Sequence, residues 1–338
     1  MNNQLNQLRT EIDTIDSQLL ELLSRRFAVT RKVGQLKTQS KLPTVDPNRE
    51  NQQMQRIAQL AQRENINPQL AQNILRTIID EVVIEHQAIQ SSYSASKITA
   101  PTIGIIGLGD FGMFIAKTLA KYAQVSCFDS QDSKTGASNY GASLKAVLQA
   151  EYIILAVPFE ALNSTLLSIK SYLKPTSTII DVCTVKIHSE KAIRKILPNH
   201  KNVVFTHPLF GPQSANKQLA GHTIVCTNSN TAASKKVLSF CHSVLGLRLV
   251  AMSAREHDMA MAEIHALTLF VARGLNLTGI TKGEFQTPSF QMLLDLIALD
   301  TSQSEELFRT VELANPFAAG VRNTFLTQLH SLNTKLNA

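Results

Sequence analysis

The stretch TIGIIGLGDFGM, Thr102 to Met113, constrains the fold more than any other part of the chain. A short apolar run (Ile103, Ile105, Ile106) leads into Gly107, Gly109 and Gly112, and an apolar pattern of helical period follows. Strand, tight turn and helix start in that order make the phosphate-binding turn of a dinucleotide-binding βαβ unit. Gly107 would make the turn, Gly109 would let the backbone approach a pyrophosphate, and Gly112 would let helix and strand pack closely. The phosphates would sit on the free N–H groups at the helix N-terminus. Three glycines at this spacing are weak evidence alone, and the residues before them look nothing like such a domain.

A chain of 338 residues has room for two or three domains. Its formal net charge of +7 comes without a Lys/Arg block or a basic-aromatic stripe, which argues against nucleic acid and fits anionic small-molecule substrates. Cys127, Cys183, Cys226 and Cys241 are widely spaced, with no C-x-x-C pair and no metal-ligand pattern. They read as reduced, mostly buried thiols. The polar N-terminus is no signal peptide and no run approaches a membrane span, so a soluble, cytoplasmic enzyme without metal is expected.

In the first ninety residues Leu5, Leu8, Ile12, Ile15, Leu19, Leu22, Val29, Val33 and Leu36 recur at steps of three and four, interrupted by Arg26. A helix from about Gln4 to Lys37 would be about 50 Å long, more than one small domain can cover. It predicts a coiled-coil-like partner, a second copy of the chain. Asp46-Pro47 marks the start of a second helix running to about Glu64, and a third begins near Pro68, with Leu75, Ile78, Ile79, Val82 and Ile89 on one stripe. His86 falls on that stripe, at the slot after Val82. At 100° per residue, Arg26 and Lys37 lie within about 20° of each other, whereas Arg9 is about 100° from Arg26. Arg9 is therefore either a surface residue or part of a site on a partner chain. For Arg26 the alternatives are an anion site and a buried ion pair with a carboxylate such as Glu50.

The stretch LNQLRTEIDTIDSQLLELLSRRFAVTRKVGQLK, followed by PTVDPNRE, resembles the helical chorismate mutases fused to bacterial tyrosine- and phenylalanine-pathway enzymes. The match runs ungapped from about Leu5 to Gln87. It implies that Arg9, Arg26, Lys37 and Arg49 bind the substrate, that Asp46 and Glu50 hold its hydroxyl, and that Arg9 crosses from the other subunit. The implied reaction is the pericyclic rearrangement of chorismate to prephenate, in which a cage of cations folds the substrate and donors stabilise charge on the breaking ether oxygen. Lys37 would be one donor. Val82 stands where a Ser is usual, and His86 where a Gln or Glu supplies the second donor. The alternatives at His86 are a donor imidazole and a core histidine in a weakly active or regulatory mutase domain.

Residues 91–100, SSYSASKITA, read as a linker. After the glycine loop and its helix, a strand Val125–Phe128 ends at Asp129, where an acid accepts from ribose hydroxyls and repels a 2′-phosphate. NAD is thus favoured over NADP, although Lys134 lies nearby and Asp129 could instead cap a turn. Further strands are expected at Tyr152–Pro158, Thr178–Val182 and Val203–Thr206, separated by helices, as in a doubly wound parallel sheet. Chemistry belongs beyond the carboxyl ends of such strands, where Thr184, Lys186 and His207 stand. An isolated His is more often a core residue, but His207 follows an apolar strand on the cofactor side.

GLG-x-FG, AVP, DV-x-TVK, THPLFGPQS and REHD, in this order, resemble the prephenate/arogenate dehydrogenase family from Thr102 to the C-terminus. The resemblance implies that His207 bonds the ring hydroxyl and helps remove its proton while hydride leaves the same carbon, with loss of CO2 aromatising the ring. Thr184 takes the place of the usual Ser. From Ala251 onward the pattern is helical, with helices near Glu256–Leu275, Ser289–Ala298, Ser304–Leu313 and Val321–Leu332 forming an all-α domain, which the resemblance implies pairs two subunits and completes the substrate site. His265 lies one turn before the family's usual His, where this chain has Leu269. The family's carboxylate-clamping arginine is missing: ungapped readings put Ser302 or Gln291 there, and Arg273, Lys282 or Arg309 are the cations left to supply the charge.

The expected architecture is a helical mutase domain (1–90), a linker (91–100), an α/β Rossmann-type NAD-binding domain (101–250) and a helical dimerisation and substrate domain (251–338). The expected enzyme is a homodimer converting chorismate to prephenate and prephenate to 4-hydroxyphenylpyruvate. The alternative is an arogenate dehydrogenase with a weakly active or regulatory mutase domain.

Overall fold

The computed structural model describes residues 2–40, 47–79, 82, 101–130, 142–215 and 219–337. The chain forms two compact units, one of Met1–Thr99 with Lys217–His222 and Ser239–Arg248, the other of Ala100–Asn216, Thr223–Leu238 and Leu249–Ala338.

The first unit is built on α1 (Asn2–Gln39), an unbroken helix of 38 residues. Its apolar stripe is exposed along its length, from Val33 at 41 % to Leu36 at 62 %. α2 (Pro47–Arg63) follows, with proline at its first position. The chain reverses through Asn65, whose φ of 57° is left-handed. It then enters α3 (residues 68–79). Asn67 caps that helix: its Oδ1 accepts from the N–H groups of Gln69 and Leu70 at 2.8 and 3.3 Å. Ala61, Ile79 and Val82 are buried, and Gln72 donates across to the carbonyl of Met54.

The second unit is organised by a seven-stranded sheet. β1 (Thr102–Ile106) is followed by α4 (Asp110–Leu119) and β2 (Gln124–Phe128), the βαβ unit expected from the glycine loop. Next come α5 (Leu144–Val147), β3 (Tyr152–Leu155), α6 (Phe159–Ile169), β4 (Thr178–Asp181), α7 (Lys186–Ile196) and β5 (Val203–Pro208). β6 (Thr223–Cys226), α8 (Ala232–Ser243) and β7 (Arg248–Ala251) follow, with the end of α8 and Arg248 counted in the first unit. The order is β2-β1-β3-β4-β5-β6-β7. Strands β1 to β5 are parallel, so the chain switches direction across the sheet between β1 and β3, where such folds take their ligand. One core face is filled by Val147, Ile153, Leu155, Leu166, Ile179 and Phe205, all buried.

Two strands depart from expectation. β6 pairs antiparallel to β5, with His207 opposite Val225 and Pro208 opposite Ile224. That pairing extends β5 by two residues, so His207 lies on the strand rather than just beyond it. β6 and β7, four residues each like β3 and β4, are not among the expected strands.

The C-terminal part is helical throughout: α9 (Ala254–Met261), a π-helical turn (Ala262–Ala266), α10 (Leu267–Leu277), α11 (Pro288–Ser302), α12 (Glu305–Arg309), a second π-helical turn (Thr310–Ala314) and α13 (Ala318–Leu336). α9 starts with a reciprocal cap between Ser253 and Glu256. Ala266, Leu269, Val311 and Ala318 form the core of this part. Among the described residues no helix is long and apolar enough to cross a membrane. All four cysteines are free thiols.

Candidate active sites

The glycine loop is shaped by backbone requirements that only glycine meets. Gly107 has φ of +97°, and a Cβ there would lie 2.5 Å from the carbonyl oxygen of Ala156 on the loop after β3. A Cβ on Gly112 would collide with the carbonyl of Gly107, so α4 could not approach the strand end. A Cβ on Gly109 would meet nothing within 4 Å. α4 starts at Gly109 with no side-chain cap, leaving its first N–H groups facing that open space. Asp129 follows β2 directly, and its Oδ2 accepts from the N–H of Leu108 at 2.6 Å. This fits a dinucleotide: a loop open to phosphate at a helix N-terminus, with a carboxylate at the end of the adjoining strand.

Six buried side chains, Asp181, Lys186, Ser189, His207, His257 and Asp258, surround the carboxyl ends of β4 and β5. Lys186, at the start of α7, is fully buried, and its Nζ donates to Asp181 Oδ2 at 2.5 Å and to the carbonyl of Thr206 at 2.6 Å. Ser189 adds a second contact to Asp181 Oδ2, at 2.6 Å. Burying this charge is tolerable because it is paired and bonded. Lys186 thus ties the end of β4 to β5 directly before His207. His207 is buried, and its Nδ1 lies 2.8 Å from Nε2 of His257 on α9. His257 Nδ1 lies 2.8 Å from Asp258 Oδ1. Asp258 also accepts from the backbone N–H groups of Lys186 and Ile187, each at 2.8 Å, and so caps α7, which has no side-chain cap of its own. Asn315 holds the Asp258 carbonyl at 2.8 Å.

Burial, first, and then His257, Lys186 and His265 hold the His207 imidazole well below its usual pKa. His265 sits in the first π-helical turn, and its pKa is also lowered, by burial and by His257. Thr184 is half-buried on the loop between β4 and α7. Leu269 is buried in the helical core, so His265 is the histidine on this segment that faces the network.

Of the three cations named from sequence for the missing arginine's charge, one is paired with carboxylates and two are exposed. Arg273 is held by Asp300 at 2.7 Å and Glu305 at 2.8 Å, and lies over the ring of Phe308. Lys282 and Arg309 are exposed. Arg322, which the sequence did not single out, is paired with Glu312. Ser302 ends α11, and its carbonyl accepts from Gln213 of the THPLFGPQS segment at 2.6 Å. Gln291 lies on α11, bonded to Asp295.

In the helical unit, Arg26 is half-buried on α1, and its Nη1 is buried with no hydrogen-bond partner among the described residues. The ion pair with Glu50 is not formed. Burial lowers the Arg26 pKa. A buried donor left unpaired is costly, and an anion would relieve it. Lys37 and Glu50 are half-buried, and Arg9 and Arg49 are exposed. Asp46 and His86 lie outside the described residues.

His257, Asp258 and Asp181 were not among the sequence-predicted site residues. A signal existed for two of them: the S-x-x-E cap at Ser253–Glu256 places His257 and Asp258 in the first turn of a helix.

A family model for type II chorismate mutase matches residues 8–87, and one for the prephenate dehydrogenase nucleotide-binding domain matches residues 120–248. A chorismate mutase of Methanocaldococcus jannaschii is 31% identical over 94 residues, 28% of this chain and 90% of that protein. A T-protein of Haemophilus influenzae is 25% identical over 319 residues, 91% of this chain and 80% of that one. Arogenate dehydrogenase 1 of Arabidopsis thaliana is 28% identical over 272 residues, 76% of this chain but only 42% of that protein's length. Among solved structures, prephenate dehydrogenase from A. aeolicus, in complex with hydroxyphenyl propionate and NAD+, has a TM-score of 0.57 at 19% identity, covering 71% of this chain and 93% of that one. The structural likeness speaks for the fold.

Proposed function

We propose two consecutive reactions for this chain, which belongs to the type II chorismate mutase family and carries a prephenate dehydrogenase nucleotide-binding domain behind it. The first is rearrangement of chorismate to prephenate in the helical unit. The second is oxidation and decarboxylation of prephenate to 4-hydroxyphenylpyruvate with NAD.

The observation that carries the second reaction is His207, a buried imidazole held unprotonated at the carboxyl end of β5. A neutral imidazole there accepts the proton of the substrate's ring hydroxyl. NAD, when bound, would supply the acceptor for the hydride on the carbon that bears this hydroxyl. The glycine loop and the N-terminus of α4 would hold its pyrophosphate, and Asp129 its ribose hydroxyls. The Thr184 hydroxyl orients the substrate beside His207. Loss of CO2 from the ring then restores aromaticity.

The first reaction needs neither base nor covalent intermediate. Arg26, Lys37 and Arg49 hold the carboxylates, Asp46 and Glu50 the hydroxyl, and Lys37 and His86 donate to the ether oxygen. Arg9 serves this site from a second copy, since the helix turns it away from Arg26. The exposed stripe of α1 supports a homodimer, because so long an apolar face is stable only when covered. Four free thiols go with a reducing compartment, and we place the enzyme in the cytoplasm.

A second reading, oxidation of arogenate, rests on the likeness to arogenate dehydrogenase 1 of Arabidopsis thaliana. Steady-state rates with prephenate and arogenate, each with NAD and with NADP, separate the two. The proposal expects prephenate with NAD to give the highest kcat/KM. Turnover of arogenate alone would transfer the assignment to the second reading.

A further inference from the structure

We infer that His257 and Asp258 are positioning residues for His207: together they fix the tautomer that leaves Nε2 of His207 free to accept a proton. The inference rests on the reading of His207 as the base of the oxidation, and it concerns how that base is prepared.

The argument runs along the bonds from Asp258 outward. Both oxygens of Asp258 accept from backbone N–H groups, Oδ1 from Lys186 and Oδ2 from Ile187. A carboxylate in that position is an acceptor only. Nδ1 of His257, 2.8 Å from Oδ1, must therefore be the donor of that bond. Taken as the neutral imidazole, His257 carries one N–H, so its Nε2 is an acceptor. Its partner, 2.8 Å away, is Nδ1 of His207, which must donate. Nε2 of His207, on the opposite side of the ring, is left with its lone pair. The opposite tautomer would present an N–H to the substrate's hydroxyl and could take no proton from it.

The geometry also prevents escape from this arrangement. All three residues are buried, at 4 % exposure for His207 and 0 % for His257 and Asp258, so water does not compete for the bonds. The two rings meet edge to face at 73° with centroids 5.0 Å apart. The Asp258 side chain is pinned by the start of α7 and its carbonyl by Asn315. Strand β5, helix α7 and helix α9 are thereby joined through one carboxylate.

Several charged or titratable groups face His207. α9 contributes His257 and, through it, Asp258; α7 contributes Lys186, paired with Asp181 of β4; the π-helical turn contributes His265. Lys186, His257 and His265 all oppose a proton on His207. Removing His257 therefore has two separable consequences: the tautomer is released, and one opponent of protonation disappears.

The test compares wild type with His257→Leu, His257→Gln and Asp258→Asn. It uses kcat and KM for NADH formation across pH, together with nitrogen-15 spectra of labelled histidine, which report each ring's tautomer without substrate. The expected wild-type spectrum has His207 protonated on Nδ1. His257→Leu should lower kcat about 10- to 100-fold, leave KM for NAD in place and move the acid limb of the pH profile to higher pH. His257→Gln, which keeps an acceptor for Nδ1 of His207, should recover most of kcat. Asp258→Asn, which can present a donor to His257 and reverse the relay, should cost about 10³-fold or more, as wrong-tautomer variants do in the serine-protease triad.

Equal kcat for the Leu and Gln variants, an unmoved acid limb, or a wild-type His207 protonated on Nε2 would each overturn the inference. If His257→Leu does not fold, the wild-type spectrum and the Gln variant still decide. If wild type oxidises neither prephenate nor arogenate, the assigned reaction fails, while the tautomer measurement judges the relay separately.

Discussion

The two candidate sites are built on opposite principles. Around His207 the buried polar groups are matched: Lys186 has Asp181 and the Thr206 carbonyl, Asp258 has two N–H groups and a ring nitrogen, and His207 has His257. In the helical unit, Arg26 carries a buried nitrogen with no hydrogen-bond partner among the described residues. The difference follows from the chemistry proposed for each. A proton transfer needs one atom in one protonation state before substrate arrives, so the surrounding bonds must already be made. A pericyclic rearrangement needs counter-charge for a dianion, so a donor such as Arg26 Nη1 should find its partner in the substrate. One site is finished without its ligand and the other is not.

The sharpest way to break this contrast is to silence one site at a time. His207→Asn should lower kcat for NADH formation about 10³- to 10⁴-fold while chorismate is consumed at the wild-type rate. Loss of both activities would mean that the sites are not separate. Arg26→Ala should do the reverse, with mutase turnover down about 10³-fold and NADH formation from prephenate intact. If the mutase rate survives Arg26→Ala, the helical unit does not use this cation.

Stability measurements sharpen the comparison further. Lys186→Met strands Asp181 as a buried charge and should destabilise the second unit by about 3 kcal/mol in denaturant unfolding. Arg26→Leu removes an unpaired donor and should instead leave the first unit neutral or more stable, by about 1 kcal/mol. Equal losses in the two variants would contradict the assignment of a finished and an unfinished site.

Acid should weaken the sheet-based site before the other. Unfolded, His207 and His265 take up a proton near 6.5; folded, both resist it. Above pH 6.5 neither ring affects stability. Below it, each costs up to about 1.4 kcal/mol per pH unit until the folded ring also titrates. Unfolding midpoints from pH 8 to pH 5 should therefore hold steady and then fall, while the rate of NADH formation stays level through pH 6.5. The smallest effect expected is from Thr184→Val, a roughly fivefold to tenfold loss in kcat/KM for prephenate from one hydrogen bond.

Much of this was legible in the residues. Asn67-Pro68 and Pro47 start their helices where the sequence places them, and Gly107 and Gly112 stand where no Cβ fits. Strands β1, β3, β4 and β5 are apolar enough to declare themselves. β6 and β7, as long as β3 and β4, are not among the expected strands, and β6 only becomes visible as the partner that extends β5 past His207. The π-helical turns at 262–266 and 310–314 leave no trace, because one turn of apolar residues does not distinguish a period of 3.6 from a wider one. The site was half legible. His207 and Lys186 sit in recognisable segments, but Asp258 acts on Lys186 from 72 residues away and His257 on His207 from 50, distances that no local pattern encodes. Gly104 is a further case: a Cβ there would strike the Val147 carbonyl, and nothing in the strand's sequence says that α5 passes so close.

The central claim is that one chain carries both reactions in sequence. Its most direct test is to give the wild-type protein chorismate and NAD together and to follow chorismate, NADH and CO2 in the same vessel. The account predicts NADH and CO2 in equal amounts, matching the chorismate consumed. Consumption of chorismate with no NADH, and none when prephenate is supplied directly, would contradict it.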